Sequence, residues 1–288
     1  MLPRRALLAL AAATLLSPAP AFAVGLEIPL FDTHVHWSEN AHEEVPLERA
    51  LEILDQAGVR MALVSSTSDE ETVKFFRAAP TRIIPMLRPY RTRADMGAWH
   101  NDSGMPAYLA LRLKLGVHKG IGEFHLYGED AASGVMKQIV AMAVERNLIL
   151  HAHADVRAVE ILFRHDPKAR VLWAHAGFTT ADKVGDMMAR YPNLWVETAI
   201  RHDIGPGGQL GADWKAVFVK YQDRWMIGTD TYVTSRWHRM PEIHNETRAW
   251  LAALPREVAE KMAWRNAAKL FGVAEGTFTG AAPAKKPE

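Results

Sequence analysis

Phe31-Asp32-Thr33-His34-Val35-His36 is the stretch of the chain that says most about its fold. It ends an apolar-rich run, Leu26 to His34, that predicts a buried β-strand. Side chains alternate along a strand, so His34 and His36 point the same way. Two imidazoles on one strand can bind a single divalent ion. Their place at the strand's end predicts that both are metal ligands.

Further strand-like runs follow along the chain, with helical stretches between them such as Leu47-Ala50-Leu51-Leu54. Strands that alternate with helices predict an α/β fold with a parallel sheet. A count of eight favours a closed (β/α)8 TIM barrel over an open sheet. The seven later runs are Met61–Ser65, Ile83–Leu87, Gly120–Phe124, Leu148–His153, Val171–His175, Leu194–Thr198 and Trp225–Gly228.

Several of these later strands also end in residues of the types that bind metals. In a parallel barrel the C-terminal ends of the strands converge on one face, so ligands far apart in sequence can meet there. Glu123 ends the fourth strand, where its carboxylate can complete one metal site or bridge two. His125 lies two residues further on with the same facing, and we expect it to contact the ion's surroundings or the substrate.

The fifth strand offers two histidines with the same facing, His151 and His153. His153 is nearer the open face and is the predicted ligand, while His151 is expected one layer down and is kept as a candidate substrate contact. His175 ends the sixth strand before Ala176-Gly177, where small residues leave room for an ion. It is a predicted metal ligand and a candidate catalytic residue.

Asp230 follows Gly228-Thr229 at the end of the eighth strand. A carboxylate there can bind an ion and also accept a proton from the attacking water. That double role suits hydrolysis, because a bound ion lowers the pKa of its water toward ~7 and a nearby base then takes the proton. Asp230 is therefore both a predicted metal ligand and the main candidate catalytic residue.

The two ends of the chain are expected to lie outside the barrel. Residues 1–23 combine paired arginines, an apolar run and the Ala21-Phe22-Ala23 cleavage pattern of a secretory signal peptide. The predicted location is the periplasm, with Sec and twin-arginine export both open. Residues 24–275 are predicted to form one hydrolase barrel. Residues 276–288, rich in Ala, Pro, Gly and Lys, are predicted to be a disordered tail.

Composition limits the possible partners. The chain has no cysteine, so any metal must be held by imidazole and carboxylate, and lipid anchoring of the mature form is not expected. Without Arg4 and Arg5 it carries 32 basic and 33 acidic residues, which gives no global reason to bind nucleic acid or membrane. We expect a small-molecule substrate, and a homo-oligomer is possible.

Taken in order, these motifs resemble the amidohydrolase superfamily, and within it the amidohydrolase-related (amidohydrolase 2) family. The resemblance spans nearly the whole mature chain. It implies a distorted (β/α)8 barrel with one or two divalent ions, usually zinc, and by this analogy His34, His36, His153, His175 and Asp230 occupy the positions that bind metal or work beside it. The motifs that carry it are 31–36, His175-Ala176-Gly177, Asp223-Arg224 leading into Gly228-Thr229-Asp230, and Asn266-Ala267-Ala268-Lys269-Leu270-Phe271.

One departure from the family bears on the metal count. Many members with two metals carry a carboxylated lysine on the fourth strand, and the related decarboxylases have no ligand there. Glu123 is instead similar to the glutamate of TatD-type deoxyribonucleases, which favours two metals. The leading prediction is a hydrolase that uses metal-activated water on an amide, ester or lactone bond. The alternatives are a metal-dependent non-oxidative decarboxylase and a TatD-like phosphodiesterase.

Three further residues near the predicted strand ends are candidate substrate contacts. Arg88 follows the third strand and Arg201 follows the seventh, and a guanidinium presents a planar fork of donors to a carboxylate or phosphate. Trp37 lies beside the first pair of histidines and could form an apolar wall. Segments 89–105 and 201–213 are predicted to be substantial loops on the same face, where loops determine what binds.

Overall fold

Eight parallel strands follow one another around a barrel in chain order, each joined to the next by one or more helices. The computed structural model describes residues 27–279, so the predicted signal peptide lies outside the described residues. The predicted TIM barrel is confirmed. The strands are β1 (Leu30–Val35), β2 (Val59–Val64), β3 (Ile83–Leu87), β4 (Gly120–Leu126), β5 (Ile149–Ala154), β6 (Val171–Trp173), β7 (Leu194–Glu197) and β8 (Trp225–Met226).

The helices form the outer layer. Side chains of Ala50, Ile53 and Leu54 recur at helical spacing and bury one face of the first helix. The helices are α1 (Leu47–Gln56), α2 (Asp69–Ala78), α3 (Met105–Leu113), α4 (Gly134–Glu145), α5 (Val156–His165), α6 (Ala181–Arg190), α7 (Ala212–Lys220), α8 (Thr234–His238), α9 (Met240–Leu251), α10 (Arg256–Glu260), α11 (Asn266–Phe271) and α12 (Gly276–Thr279). Within residues 27–279, none of them is both long enough and apolar enough to cross a membrane.

The C-terminal segment is ordered further than its composition suggests. A π-helical turn, Lys261–Arg265, links α10 to α11, so the predicted closing helix runs along the barrel wall with an irregular middle. Residues 276–279 form α12 rather than the start of a disordered tail. The ring of Phe278 is buried and lies 4.7 Å from the ring of Trp264 and 6.0 Å from that of Phe31. Residues 280–288 lie outside the described residues.

The barrel closes where β1 meets β8, and little backbone pairing holds that seam. β8 has only two residues, and one isolated bridge joins Asp32 to Ile227. The backbone N–H of Thr33 donates to the carbonyl of Ile227 at 3.0 Å, and the N–H of Asp230 donates to the carbonyl of His34 at 2.6 Å. Side chains must therefore supply much of the connection between the two strands.

Asp32 is the side chain that ties the seam together. Its buried carboxyl group accepts hydrogen bonds from the backbone N–H groups of His34 and Thr229, each at 3.0 Å. It also accepts from the Thr229 hydroxyl and from His244 Nε2, the latter at 2.9 Å. One carboxyl group thus fixes β1, the end of β8 and helix α9 relative to one another.

We predict that Asp32→Ala destabilises the fold strongly, because it leaves several buried donors without an acceptor. The expected loss is roughly 3 to 5 kcal/mol of the free energy of unfolding. Urea unfolding in the presence of a chelator measures it without any contribution from bound metal. Asp223→Ala is the matched control, since Asp223 is exposed and pairs with Lys261 at the surface. A variant at position 32 no less stable than that control would contradict this role.

Candidate metal centre

The two histidines of β1 meet Asp230 at the open end of the barrel. His34 Nε2 and His36 Nε2 lie 3.1 Å apart, and Asp230 Oδ1 lies 3.7 Å and 3.3 Å from them. All three side chains are buried. Their ligand atoms lie within 4.8 Å of one another, a spacing that one metal ion can span. The end of β1 and the end of β8 therefore form one potential metal-binding group.

Glu123 extends this group to a second set of imidazoles. Its Oε2 lies 3.2 Å from His36 Nε2, which belongs to the first group. Its Oε1 lies 3.0 Å from His153 Nδ1 and 3.5 Å from His175 Nε2. Oε1 also lies 3.5 Å from His34 Nε2, so Oε2 faces one histidine and Oε1 faces three. The carboxylate is therefore positioned so that two metal ions could share it.

His175 is set by a backbone feature that the sequence did not reveal. The sixth strand ends at Trp173 rather than at the predicted His175, and the chain then makes a left-handed turn from His175 to Phe178. At Gly177, φ is +61°, and a Cβ there would lie 2.0 Å from the ring of Trp173. The glycine is therefore required both by the conformation and by the close packing under the turn.

Hydrogen bonds hold each imidazole in one orientation. His34 Nδ1 donates to Glu197 Oε1 at 2.9 Å, and His175 Nδ1 donates to the carbonyl of Ala199 at 2.9 Å. His36 Nδ1 donates to the carbonyl of Ser65. Each of these three rings therefore carries a proton on Nδ1 and turns Nε2 toward the centre. Outer partners of this kind fix the tautomer of metal-binding histidines.

The charges in the centre favour a cation. Burial by itself would lower the pKa of His34, but surrounding carboxylates outweigh it and raise that pKa well above its usual value. These carboxylates belong, in order of strength, to Asp230, Glu123 and Glu197. Burial by itself would raise the pKa of Glu123 and of Glu197. The positive charge of His34 and its hydrogen bonds outweigh burial, so both pKa values lie well below the usual range. Three buried carboxylates are stable here only beside positive charge.

The donor set fits a divalent ion of the zinc type. His175 Nε2 and Asp230 Oδ1 are buried without a hydrogen-bond partner, although buried polar atoms normally have one. The group offers imidazole nitrogens and carboxylate oxygens, which are ligands that zinc accepts. These two atoms point into the cluster from β6 and β8. Metal ions bound in the cluster would satisfy both of them.

A cavity of about 400 Å³ opens directly above this cluster. Arg88 lies in its wall, where Nε donates to the backbone carbonyl of Glu123 at 3.0 Å and Nη2 donates to Glu123 Oε2 at 3.1 Å. The cavity thus has the candidate metal ligands at its floor and both polar and apolar side chains around it. Its lining residues are His36, Ser38, Asn40, Thr67, Arg88, Arg93, Met96, Glu123, His125, His153, Phe178, Ile200, Asp230 and Tyr232.

Two of the predicted substrate contacts line this cavity, namely Arg88 and His125. Tyr90 holds the imidazole of His125, since its hydroxyl lies 3.0 Å from His125 Nδ1. Burial lowers the pKa of His125 to about 4, so the ring is neutral at pH 7. A neutral, oriented imidazole in the wall can donate or accept a hydrogen bond to a ligand. The roles of Arg88 and His125 toward a substrate stay predictions.

Two other predicted substrate contacts, Trp37 and Arg201, lie outside this cavity. Trp37 is fully buried, and its Nε1 donates to the carbonyl of Val45 at 2.9 Å beneath the first loop. The guanidinium of Arg201 donates to the carbonyls of His175, Ala176 and Thr179 and so supports the left-handed turn. Within residues 27–279, neither side chain lines the cavity above the cluster.

The two histidines of β5 lie at different depths. His153 reaches the cavity and Glu123, whereas His151 is buried beneath the cluster with its ring centroid 4.7 Å from that of His34. Burial lowers the pKa of His151 to about 4, which keeps the ring neutral. His153 faces the cavity and His151 lies one layer below, and each belongs to a group of side chains that could hold a metal ion, so the choice of His153 as the ligand stays a prediction.

Some residues of the centre were missed by sequence reasoning. Glu197 ends β7 and holds both His34 and the backbone N–H of His175, at 2.9 Å and 2.8 Å. The one available signal was a lone carboxylate at the end of an otherwise apolar strand. Phe178 and Ile200 line the cavity too, and nothing in their local sequence indicates it.

Known proteins share this fold. The amidohydrolase family model matches residues 31–273. No curated protein sequence matches the chain. An uncharacterized TIM-barrel protein from Bordetella bronchiseptica is 16% identical, with a TM-score of 0.61 over 85% of this chain and 99% of that chain.

Two further solved structures carry names that describe a chemistry. A Pseudomonas putida protein assigned as a 2-pyrone-4,6-dicarboxylic acid hydrolase is 14% identical, with a TM-score of 0.62 over 86% of this chain and 98% of that chain. A Burkholderia multivorans amidohydrolase with bound zinc is 11% identical, with a TM-score of 0.59 over 85% of this chain and 100% of that chain. At these identities the likeness shows the fold alone.

We predict that zinc binds more tightly as the pH rises from 6 to 8. The surrounding carboxylates raise the pKa of His34, so the metal-free protein holds a proton there that zinc must displace. Affinity should increase about tenfold per pH unit for each displaced proton, and calorimetry in two buffers counts the protons released. Glu197→Gln removes one of those carboxylates and should flatten the dependence. Equal affinity at pH 6 and pH 8 would contradict this description of the centre.

Proposed function

Because the chain belongs to the amidohydrolase family, we propose that it is a metal-dependent hydrolase of small molecules, acting on an amide, ester or lactone bond. The observation that carries the proposal is the position of Glu123. Its Oε2 faces His36, and its Oε1 faces His153, His175 and His34, so the carboxylate lies beside histidines of both proposed metal sites. A hydrolase of this kind needs metal ligands, a general base and a cavity for the substrate. Candidate residues for all three lie together in this barrel.

We assign the centre two divalent ions, with zinc preferred. His34, His36 and Asp230 would hold one, and His153 and His175 the other, with Glu123 shared between them. When bound, such ions polarise the substrate carbonyl and lower the pKa of water enough for it to attack at neutral pH. The absence of cysteine is consistent with this choice of ligands, since every donor is nitrogen or oxygen.

Asp230 is the proposed general base. Its carboxylate lies at the cavity floor beside His36, and burial, which would raise its pKa, is outweighed by His34 and His36, so the pKa is lowered. An ionised carboxylate can accept the proton of the attacking water and later pass it to the leaving group. Arg236 fixes the backbone here, because its Nε donates to the carbonyl of Asp230 at 2.6 Å. The proposed base is thereby held at the floor of the cavity, where it could accept the proton of the attacking water.

His175 is the proposed partner of Asp230. Its Nε2 lies 3.7 Å from Asp230 Oδ2, and its Nδ1 proton is given to Ala199. The ring therefore cannot rotate without breaking that hydrogen bond, and it keeps Nε2 beside the base. In this proposal His175 positions the reacting group and Asp230 transfers the proton.

A decarboxylase is the competing candidate, because the same family includes decarboxylases, which carry no ligand on the fourth strand. The side chain of Glu123 stands against it. It occupies the middle of the cluster and also accepts from Arg88 Nη2 at 3.1 Å, so it is held among the imidazoles rather than turned away. Product analysis separates the two reactions directly.

We predict that the zinc-loaded protein hydrolyses members of a panel of lactones, esters and anilides and incorporates one oxygen atom from ¹⁸O-labelled water into the acid product. Asp230→Asn should lower kcat by about 10²- to 10⁴-fold, because it removes proton acceptance. Mass spectrometry and pH-stat assays measure both effects. Asp213→Asn is the matched control, an exposed residue in the first turn of α7 whose loss should leave kcat unchanged.

Two results would count against the proposal. Release of CO2 from carboxylated aromatic acids, with no hydrolysis anywhere in the panel, would favour the decarboxylase. Near-normal turnover by Asp230→Asn, with hydrolysis otherwise present, would remove Asp230 as the base and leave the hydrolase assignment in place.

A further inference from the structure

Two apolar residues of the cavity wall have an unfavourable backbone conformation. Phe178 has φ of +48° and Ile200 has φ of +60°, values in the left-handed region. This region is disfavoured for any residue with a Cβ and most of all for a bulky or β-branched one. Both side chains line the cavity above the metal cluster. Strained residues persist where the surrounding structure imposes them, and they concentrate at functional sites.

The ring of Phe178 lies against the candidate ligands but remains accessible. Its centroid is 4.8 Å from that of His175 at an interplanar angle of 24°, and 5.6 Å from that of His153. The residue is nonetheless 54% exposed. One face of the ring is therefore covered by an imidazole of the metal centre. The rest of the ring's surface is available to a ligand in the cavity.

Hydrogen bonds from Arg201 hold the turn that carries this ring. Arg201 Nη2 donates to the carbonyl of Thr179 at 2.8 Å and Nη1 donates to that of His175 at 3.1 Å, so the turn is tied on both sides of Phe178. The guanidinium itself packs over the ring of Trp214, 4.5 Å from its centroid. The exposure of Phe178 is thus imposed by a fixed turn and does not result from a loose loop.

We propose that Phe178 and Ile200 form a stacking platform for a planar aromatic or conjugated ring next to the bond that is cleaved. The inference rests on the proposed function, because it places the reactive group of that ring at the metal centre. Aromatic rings attract one another at centroid separations of about 4.5 to 7 Å in offset or edge-on arrangements. A flat ring can stack on the exposed part of Phe178 within the cavity that Ile200 also lines, whereas a short alkyl group has no ring to stack. The substrate class is an aryl or conjugated-ring lactone, ester or amide.

The test compares two metal-chelating probes that differ only in the group beside the hydroxamate. Calorimetry measures the Kd of benzohydroxamate and of acetohydroxamate for the zinc-loaded protein, and their ratio isolates the contribution of the ring. Phe178→Ala should reduce the preference for benzohydroxamate by about 3- to 10-fold and leave acetohydroxamate binding and zinc content unchanged. No turnover is needed for this measurement.

Two further variants control for folding and for general aromatic surface. Phe178→Gly removes the same ring but suits the left-handed backbone, so it should lose the same preference and melt above Phe178→Ala. Tyr127→Ala removes another exposed ring, which lies 6.0 Å from that of His153 but outside the cavity lining, and it should keep the full preference.

The outcomes separate the platform from the hydrolase assignment. A reduced preference in both Phe178 variants, with Tyr127→Ala like wild type, supports the platform. An unchanged preference in Phe178→Ala, with both probes bound, overturns the platform and leaves the proposed function intact. Failure of both probes to bind the wild-type protein in the presence of zinc overturns the metal centre and the platform with it.

Discussion

Closure of the barrel between β1 and β8 is the constraint on which the rest of the site depends. The first and last strands carry His34, His36 and Asp230, yet they share only one isolated backbone bridge. Asp32 compensates by accepting hydrogen bonds from both sides of the seam and from helix α9. A shift of this seam would separate the β1 histidines from the β8 carboxylate. The interactions that stabilise the fold at this seam therefore also set the geometry of the candidate metal centre.

The second constraint is the burial of negative charge. Glu123, Glu197 and Asp230 lie within a few ångströms of one another's imidazole partners, and each is almost fully removed from water. Isolated carboxylates could not remain ionised there. Glu197 is offset by hydrogen bonds from His34 and from backbone N–H groups, while Glu123 and Asp230 are left facing the cavity. Glu123 is partly offset by the guanidinium of Arg88, and both Glu123 and Asp230 keep oxygens directed toward the imidazoles of the centre.

The sequence predicted the barrel and the strand that carries each candidate ligand, because buried strands with polar ends are a local pattern. It did not predict side-chain destinations that depend on distant elements. Arg201 was expected beside the substrate, but it binds carbonyls of the turn after β6, which begins at His175, the last residue of the predicted strand. Trp37 was also expected to contact the substrate, but it is buried beneath the first loop. Glu197 was overlooked because its role exists only through imidazoles supplied by β1 and β6. Phe278 orders part of the predicted tail by packing on Phe31 and Trp264.

The most direct test of the central claim is the metal content of wild type and of Glu123→Gln, measured by elemental analysis after purification without chelators. A centre bridged by Glu123 predicts close to two divalent ions per chain in wild type and a fall toward one in the variant. Glu129→Gln, on the exposed turn after the same strand, should match wild type. A single ion in wild type, retained in full by Glu123→Gln, would contradict the bridged two-metal centre.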